Sequence, residues 1–220
     1  PQYILESGLA GKGKIVCTQP RKVATISLAT RISQELKSEN TGLVESKVNR
    51  KPFTNNELQN KLSTKLLFMT DRSLLNELQK DRDLKQYSFV IIDEAHERTL
   101  FTDILLCELK KLVQKRRENG NPLKLIITSA TIDKTVFKRY FDCPVLDIPG
   151  RQYPVEVRWQ KAEEDYERQA VNTVKRILES PEQSDTQDDI LVFLTNPEEV
   201  LRSCGNIRNW LKKSNMNNVE

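Results

Sequence analysis

The sequence has no long apolar run and few residues of the kinds that build metal or disulfide frameworks. No apolar stretch approaches the roughly 18 residues that a membrane-spanning helix needs, so no membrane segment is predicted. The first residues show neither the basic start nor the apolar core of a secretory signal, and they lack an initiating Met, which suggests a fragment. The four cysteines are far apart and form no Cys-x-x-Cys pair. This favours reduced thiols in an intracellular protein, nuclear or cytoplasmic, over zinc or disulfides.

The charge of the chain is nearly balanced. There are 35 basic and 31 acidic residues, and the net charge of +4 permits nucleic-acid binding without predicting it. The basic run Lys115-Arg116-Arg117 ends a predicted helix over residues 100–117, and the helix dipole is enough to explain it. A hydrophobic content of 37% and a charged content of 30% are typical of a globular protein. The 220 residues could form one large domain, or one domain and part of another.

The chain is organised around residues 89–92, an apolar run that leads directly into Asp93 and Glu94. Such a run predicts a strand buried on both faces, and the end of such a strand is where an open parallel sheet presents chemistry. Two acids there are costly unless a cation is bound, which indicates Mg²⁺ carrying a nucleoside triphosphate. Asp93 would lie on the metal side, and Glu94 would orient or deprotonate the attacking water. The alternative is that the two acids merely begin a solvated loop.

The end of a second predicted strand has residues that can bind a phosphate. Residues 14–18 are predicted to form a buried strand that delivers Gln19 and Arg21 to the start of a helix from about residue 23 to 37. Backbone N–H groups at a helix start, together with an arginine, can hold a phosphate. The alternative is a solvated arginine at an ordinary helix start.

Two further strands are predicted at residues 65–71 and 123–128. The first ends in Thr70 and Asp71, and Asp71 can cap the helix that follows. The second delivers Ser129-Ala130-Thr131, whose small hydroxyl residues can hydrogen-bond the acids and sense their state. The repeated alternation of strand and helix predicts an α/β fold with a parallel sheet and helices on both faces.

Residues 8–14 fit the pattern Gly-x-x-x-x-Gly-Lys but are not predicted to be a phosphate-binding loop. Such a loop follows a strand, opens a helix and has Ser or Thr after the lysine. Here Ile15 follows the lysine and the next element is a strand, so a surface turn is the better interpretation.

The tetrad Asp93-Glu94-Ala95-His96 resembles motif II of the DEAH-box RNA helicases, and its continuation to residue 105 is similar to that family as well. Residues 18–21 resemble motif Ia, residues 129–131 resemble motif III and residues 190–199 resemble motif IV, in the family's order. The resemblance covers nearly the whole chain. It implies a RecA-like parallel sheet with helices on both faces, followed by the beginning of a second RecA-like domain.

The resemblance also implies roles for individual residues. Asp93 would hold Mg²⁺, Asp93 and Glu94 would bind ATP or another NTP, and the two acids with His96 would form the catalytic set. Coupling between nucleotide state and RNA grip would use His96, Ser129 and Thr131. The RNA backbone would be contacted by Gln19, Arg21 and Thr70. The implied activity is NTP-driven remodelling of RNA or ribonucleoprotein, with RNA and an activator protein of the G-patch class as partners.

Composition and resemblance together predict three segments. Residues 1–150 would be a first RecA-like, ATP-binding domain that is truncated at its N-terminus. Residues 151–188 would be a connecting segment with a helix over residues 163–179. Residues 189–220 would begin a second RecA-like domain with a buried strand at 190–194 and a helix that follows it.

The chain departs from the family pattern at several positions. Arg72 stands where the family has Gly, and it either supplies charge or blocks the close approach of a phosphate. Asn196-Pro197 stands where the family commonly has Gly-Gln. Residues 38–63 lack the family's Gly-Tyr-x-Ile-Arg-Phe stretch.

Two parts of the family's nucleotide machinery are not in these 220 residues. The P-loop and its strand would lie upstream of Pro1, and the arginine-rich motif VI is absent. The 220 residues alone are therefore expected to hydrolyse ATP poorly and not to unwind RNA. In the family that strand is normally central in the sheet, so its loss is expected to leave two unpaired edges within the sheet. The alternatives to an RNA helicase are a catalytically inactive, helicase-derived RNA-binding scaffold and a related helicase that acts on DNA.

Overall fold

The computed structural model describes residues 1–37, 42–47, 64–130, 133–150, 153–161, 163–180 and 189–214. The chain divides into two compact units, Pro1–Ile148 and Pro149–Glu220. In the described ranges, no helix is both long and apolar enough to cross a lipid bilayer.

The first unit is a sheet flanked by helices. Its strands are β1 (Lys14–Gln19), β2 (Val44–Lys47), β3 (Leu66–Thr70), β4 (Tyr87–Ile92) and β5 (Lys124–Ile127). Its helices are α1 (Gln2–Glu6), α2 (Lys22–Glu35), α3 (Asp71–Lys80), α4 (Leu100–Glu118) and α5 (Lys134–Phe141), with a 3₁₀ turn at Ala95–Glu97. All strand pairs are parallel, in the order β2-β3-β1-β4-β5.

Both faces of the sheet are buried beneath helices. β3 is buried at all of its positions, and because successive side chains point to opposite faces, it contributes to two cores. On one face, Val16 and Met69 pack with leucines of α3 and α4. On the other, Ile15 and Phe68 pack with Ala29 of α2. The predicted parallel sheet with helices on both faces is confirmed.

The sheet is continuous, so the expectation of two unpaired edges within it is wrong. β1 pairs with β3 on one side and with β4 on the other, and Cys17 lies opposite both Phe68 and Ile91. The outer strands are β2 and β5. β2 escaped prediction because its sequence, Val-Glu-Ser-Lys, is mostly polar. It forms through backbone pairing with β3, where Val44 lies opposite Leu66.

Residues 8–13 form a turn that joins α1 to β1. A phosphate-binding loop joins a strand to a helix, so the rejection of that role is confirmed. Gly8 and Gly11 have φ angles of +69° and +57°, which glycine adopts at no steric cost. Gly13 is needed for close packing, because a Cβ there would lie 1.8 Å from Oγ of Ser88.

Helices α3 and α4 begin at threonine caps. Oγ1 of Thr70 accepts a hydrogen bond from the N–H of Ser73 at 3.3 Å, and Oγ1 of Thr99 accepts one from the N–H of Thr102 at 3.1 Å. The prediction that Asp71 caps α3 is wrong. Thr70 has the extended backbone of a cap residue, whereas Asp71 is already helical, and its buried carboxylate accepts a hydrogen bond from the Thr102 hydroxyl at 2.5 Å.

The second unit contains helices α6 (Tyr166–Leu178) and α7 (Pro197–Lys213), which bury two valines of α6 and Leu211 of α7. The predicted strand at residues 190–194 does not form. Leu191 and Phe193 are 78% and 87% exposed, and no described strand of the unit pairs with them. A strand needs a neighbour for its backbone N–H and C=O groups, and an apolar run cannot by itself supply one.

Helix α7 begins at the Asn196-Pro197 pair. Oδ1 of Asn196 accepts a hydrogen bond from the N–H of Glu199 at 3.0 Å, and Pro197 occupies the first helical position, where its missing N–H has no cost. This departure from the family pattern therefore serves as a strong helix start.

The carboxylate of Glu199 accepts four hydrogen bonds at the start of this helix. It accepts from the hydroxyl of Tyr166 at 2.5 Å, from the amide of Asn196 at 2.8 Å, and from the N–H and hydroxyl of Thr195 at 3.0 and 2.8 Å. These donors favour the ionised form, so they lower the pKa of Glu199 from 4.5 to about 2, with the Tyr166 bond as the largest cause.

The lowered pKa of Glu199 predicts a pH-dependent contribution to the stability of the second unit. A group with a depressed folded-state pKa stabilises the fold above its unfolded value, here about pH 4.5, and loses that contribution as the pH falls towards 2. A carboxyl-carbon NMR titration of Glu199 should give a midpoint near 2, and Tyr166→Phe should move that midpoint upward. A wild-type midpoint near 4.5 would show that the network does not exist in solution.

Candidate active site

Three strands end together and bring polar side chains to one edge of the sheet. β1, β4 and β5 are adjacent and in register, with Ile92 opposite both Thr18 and Ile127. The next residues along the three strands are Gln19, Asp93 and Thr128. The carboxyl edge of the parallel sheet thus places the first acid of the tetrad between a neutral amide and a hydroxyl.

The carboxylate of Asp93 is held by three donors. Nε2 of Gln19 donates to Oδ2 at 2.5 Å, the N–H of Glu94 donates to Oδ1 at 2.9 Å, and the Thr128 hydroxyl also donates to Oδ1. A carboxylate has about four lone-pair sites, so these bonds leave one available. Asp93 is therefore oriented, but it can still accept a further donor or a cation.

Glu94 has a backbone conformation that is rare outside glycine. Its φ and ψ are 53° and 36°, in the left-handed region, where a side chain costs about 1–2 kcal/mol. The 3₁₀ turn Ala95–Glu97 follows directly, and the N–H of Ala95 donates to the carbonyl of Thr128 at 3.0 Å. This strained turn leaves the Glu94 side chain 44% exposed beside the oriented Asp93. Strain of this kind concentrates at functional sites.

His96 contacts the segment after β5. Its Nδ1 accepts a hydrogen bond from the N–H of Ala130 at 3.3 Å and also lies 3.4 Å from Oε2 of Glu94. These two contacts require opposite protonation states of Nδ1, because a nitrogen that accepts cannot also donate. The bond from Ala130 assigns a neutral ring with its proton on Nε2, so the Glu94 contact is not an ion pair in this state.

The structure brings only part of the predicted coupling set together. His96 meets Ala130, the neighbour of Ser129, while the buried Ser129 hydroxyl has no hydrogen-bond partner among the described residues. Thr131 lies outside the described residues, so its predicted role stays a prediction.

The three predicted RNA contacts differ in their surroundings. Arg21 is the residue before α2, its side chain is 75% exposed, and its Nε lies 3.2 Å from Oε1 of Glu97. Gln19 is only 3% exposed and bonds to Asp93. Thr70 is 8% exposed and its hydroxyl caps α3. Arg21 is thus the member of this set whose side chain is presented to solvent.

A cavity of about 140 Å³ lies where α2, α3 and α4 begin. The guanidinium of Arg72 lies 5.4 Å from the centre of the Phe101 ring, within the range of a cation–π contact. Arg72 therefore adds positive charge to the wall of this cavity. The lining residues are Pro20, Lys22, Thr70, Asp71, Arg72, Thr99 and Phe101.

Sequence reasoning missed Thr128 altogether, and it found Gln19 without finding the bond of Gln19 to Asp93. Both contacts depend on the strand order, because Gln19 is the last residue of β1, Thr128 follows β5, and both strands are adjacent to β4.

Cys17 is a buried residue of β1, two positions before Gln19. Its burial is the largest cause that raises the pKa of its thiol to about 12, and the charge of Asp93 is the second. The thiol is therefore neutral at physiological pH and takes no part in the chemistry of the site.

The donor set of the site fits a weakly protein-bound Mg²⁺. No group of three or more His, Cys, Asp or Glu side chains that could hold a metal occurs among the described residues. Mg²⁺ is commonly held by one or two carboxylates together with phosphate oxygens and water. Asp93, with one lone pair available, can supply such a carboxylate, and Glu94 is adjacent to it.

Comparison with known proteins places this site in a family. The family model of the DEAD/DEAH box helicases matches residues 4–138. The ATP-dependent RNA helicases DHX33 of Mus musculus and Homo sapiens are 42% and 43% identical over 203 residues, 91% of this chain and 28% and 27% of theirs. An ATP-dependent RNA helicase HrpA homolog of Haemophilus influenzae is 41% identical over 221 residues, covering 100% of this chain and 16% of that protein.

A solved structure shows the same fold. The crystal structure of the Escherichia coli DEAH/RHA helicase HrpB matches with a TM-score of 0.72 at 27% identity, over 90% of this chain and 24% of that one. The chain spans less than a third of the length of these relatives. The family model covers the sheet, the acid pair and more than half of the chain, which therefore belongs to the DEAD/DEAH box helicase family.

Proposed function

We propose that the full-length protein is an ATP-dependent RNA helicase of the DEAH-box type, which couples NTP hydrolysis to the remodelling of RNA or ribonucleoprotein. The observation that carries this proposal is the acid pair at the end of β4, where Asp93 is fixed by three donors and Glu94 is turned towards solvent. The printed names of the relatives DHX33 and HrpA homolog support the choice of RNA and ATP.

The two acids have distinct tasks in this proposal. Asp93 would hold Mg²⁺ through its remaining lone pair, and the metal, when bound, neutralises charge on the triphosphate. Glu94 would accept a proton from the attacking water, because its carboxylate is 44% exposed and lies one residue from Asp93. His96 would report the state of this turn to the segment after β5 through the N–H of Ala130.

The RNA backbone would meet the start of α2. Arg21 is exposed there, and the helix N-terminus adds N–H groups that favour phosphate. Glu97 holds Arg21 in the absence of RNA, and a phosphate would compete for the same guanidinium. RNA contact by Thr70, coupling through Ser129 and Thr131, and an activator of the G-patch class belong to the proposal on the resemblance alone.

The proposal also includes the domain division and the cellular setting. Residues 1–150 would form the first RecA-like domain, 151–188 the connection and 189–220 the start of the second. The break between the two compact units, after Ile148, supports the first of these boundaries. The protein would act in the nucleus or the cytoplasm.

The direct test is to measure ATP hydrolysis and duplex unwinding by the full-length protein, with single-stranded RNA and single-stranded DNA as cofactors. Strong stimulation by RNA together with ATP-dependent unwinding of an RNA duplex is expected. RNA binding without turnover would favour an inactive scaffold, and equal or greater stimulation by DNA would favour a DNA helicase.

A further inference from the structure

We propose that Gln19 and Thr128 are positioning residues that hold the Asp93 carboxylate in its metal-binding orientation, and that Gln19 is not an RNA contact. The inference rests on the proposed function, because it concerns the acid assigned to the metal. It differs from the role that family resemblance implies for Gln19.

The first support is the burial and fixed position of Gln19. It is the last residue of β1, and only 3% of its surface is exposed. The backbone around it is tied to β4, since the N–H of Asp93 donates to the carbonyl of Thr18 at 3.2 Å. The Gln19 side chain bonds to the residue directly beyond β4, so its amide is engaged inside the protein and is not free for a ligand at the surface.

The second support is that the donors divide between the two oxygens of Asp93. Gln19 bonds to Oδ2, while Thr128 bonds to Oδ1, so rotation of the carboxylate breaks both bonds. The hydroxyl of Thr128 also lies 3.5 Å from the carbonyl of Ile92, and the N–H of Thr128 donates to that carbonyl at 2.9 Å, which fixes its position. A carboxylate held in this way needs little ordering when a cation binds.

The third support is the chemistry of the amide. Gln donates a hydrogen bond without bringing a charge, so Asp93 keeps its full negative charge for the metal. A carboxylate at position 19 would face Asp93 with a like charge, and an arginine or lysine would neutralise the acid in competition with the cation. A neutral donor such as Gln avoids both the repulsion by a like charge and the competition between a positive side chain and the cation.

The experiment compares Gln19→Met with Gln34→Met in the full-length protein. Met matches the size of Gln but has no N–H donor, and Gln34 is an exposed residue of α2 remote from the sheet edge. Binding of Mn²⁺ in the presence of ADP, followed by electron paramagnetic resonance, should weaken by about 10–100-fold in Gln19→Met, as for other residues that orient a metal ligand. Gln34→Met should bind Mn²⁺ like the wild type.

A second readout separates positioning from RNA contact. Affinity for single-stranded RNA without nucleotide should be the same in Gln19→Met and Gln34→Met. Equal Mn²⁺ affinity in these two variants would overturn the proposal, and so would a loss of RNA affinity in Gln19→Met without weakened Mn²⁺ binding.

Thr128→Val provides a second test of the proposal if Gln19→Met does not fold. Thr128 is exposed, so its replacement spares the core, and the loss of its hydroxyl should weaken Mn²⁺ binding in the same way. Unchanged Mn²⁺ binding by Thr128→Val would overturn the proposal. The Mn²⁺ measurements do not depend on ATP hydrolysis. If the wild type showed no RNA-stimulated ATPase, the proposed function would be contradicted, but the Mn²⁺ affinities would still decide whether Gln19 and Thr128 position Asp93.

Discussion

Glu94→Gln in the full-length protein is expected to lower RNA-stimulated ATP hydrolysis by about 10²–10⁴-fold, the usual contribution of a positioned general base. Gln has the same shape as Glu and still forms hydrogen bonds, but it cannot take a proton from water at neutral pH. The Glu94 side chain is 44% exposed, so its replacement should not disturb the core. Steady-state hydrolysis with saturating RNA measures the effect.

The same substitution elsewhere provides the control for Glu94→Gln. Glu108 lies on the exposed side of α4, where its carboxylate pairs with Lys111 at 3.0 Å, and Glu108→Gln should hydrolyse ATP like the wild type. Glu94→Gln should also retain affinity for nucleotide and RNA, because it removes the proposed proton acceptor but keeps Asp93, the proposed metal ligand. Equal turnover by the two variants would show that another group activates the water.

The strands buried on both faces could be predicted from the sequence because each is a short, continuous apolar run that ends in polar residues. β1, β3 and β4 all follow this rule, and the helices between them show apolar positions at helical spacing. The same rule failed where pairing partners decide the outcome. Residues 190–194 are as apolar as β4 but form no strand, while the polar β2 forms one at the edge of β3.

The acids of the candidate site could be located from the sequence, but their environment could not. Asp93 and Glu94 are found because they follow an apolar run. That Gln19 and Thr128 hold Asp93 depends on which strands are neighbours and on their register, and both are properties of the folded sheet. The left-handed backbone of Glu94 was equally hidden, because Glu is not a residue type that predicts positive φ.

Arg116 shows how a charge pattern can conceal a core residue. In the sequence it is the middle of the run Lys115-Arg116-Arg117, and the helix dipole accounts for the run. In the structure Arg116 is only 4% exposed. Its Nη1 donates to the carbonyls of Tyr87 at 2.7 Å and Leu84 at 3.0 Å, and its Nε donates to the carbonyl of Asn121 at 2.9 Å. Arg116 thus connects the end of α4 to the turns before β4 and β5.

Arg116→Leu is expected to destabilise the first unit by about 2–4 kcal/mol, because it removes several hydrogen bonds at once, two of them to buried carbonyl oxygens. Native-state hydrogen exchange at the amide of Val90 in β4 measures the free energy of opening. Arg116→Lys should rescue little, since one ammonium group cannot reach carbonyls that the planar guanidinium bonds in separate directions.

The neighbouring Arg117 provides a matched control for Arg116, because it belongs to the same basic run and the same helical turn but is exposed. If the run acts only through the helix dipole, Arg116→Leu and Arg117→Leu should have similar small effects, below about 1 kcal/mol each. If Arg116 acts through its buried hydrogen bonds, only its replacement should speed exchange at Val90, and Arg117→Leu should change stability by no more than about 0.5 kcal/mol. Equal effects of the two substitutions would therefore contradict the structural role of Arg116 and restore the explanation by charge alone.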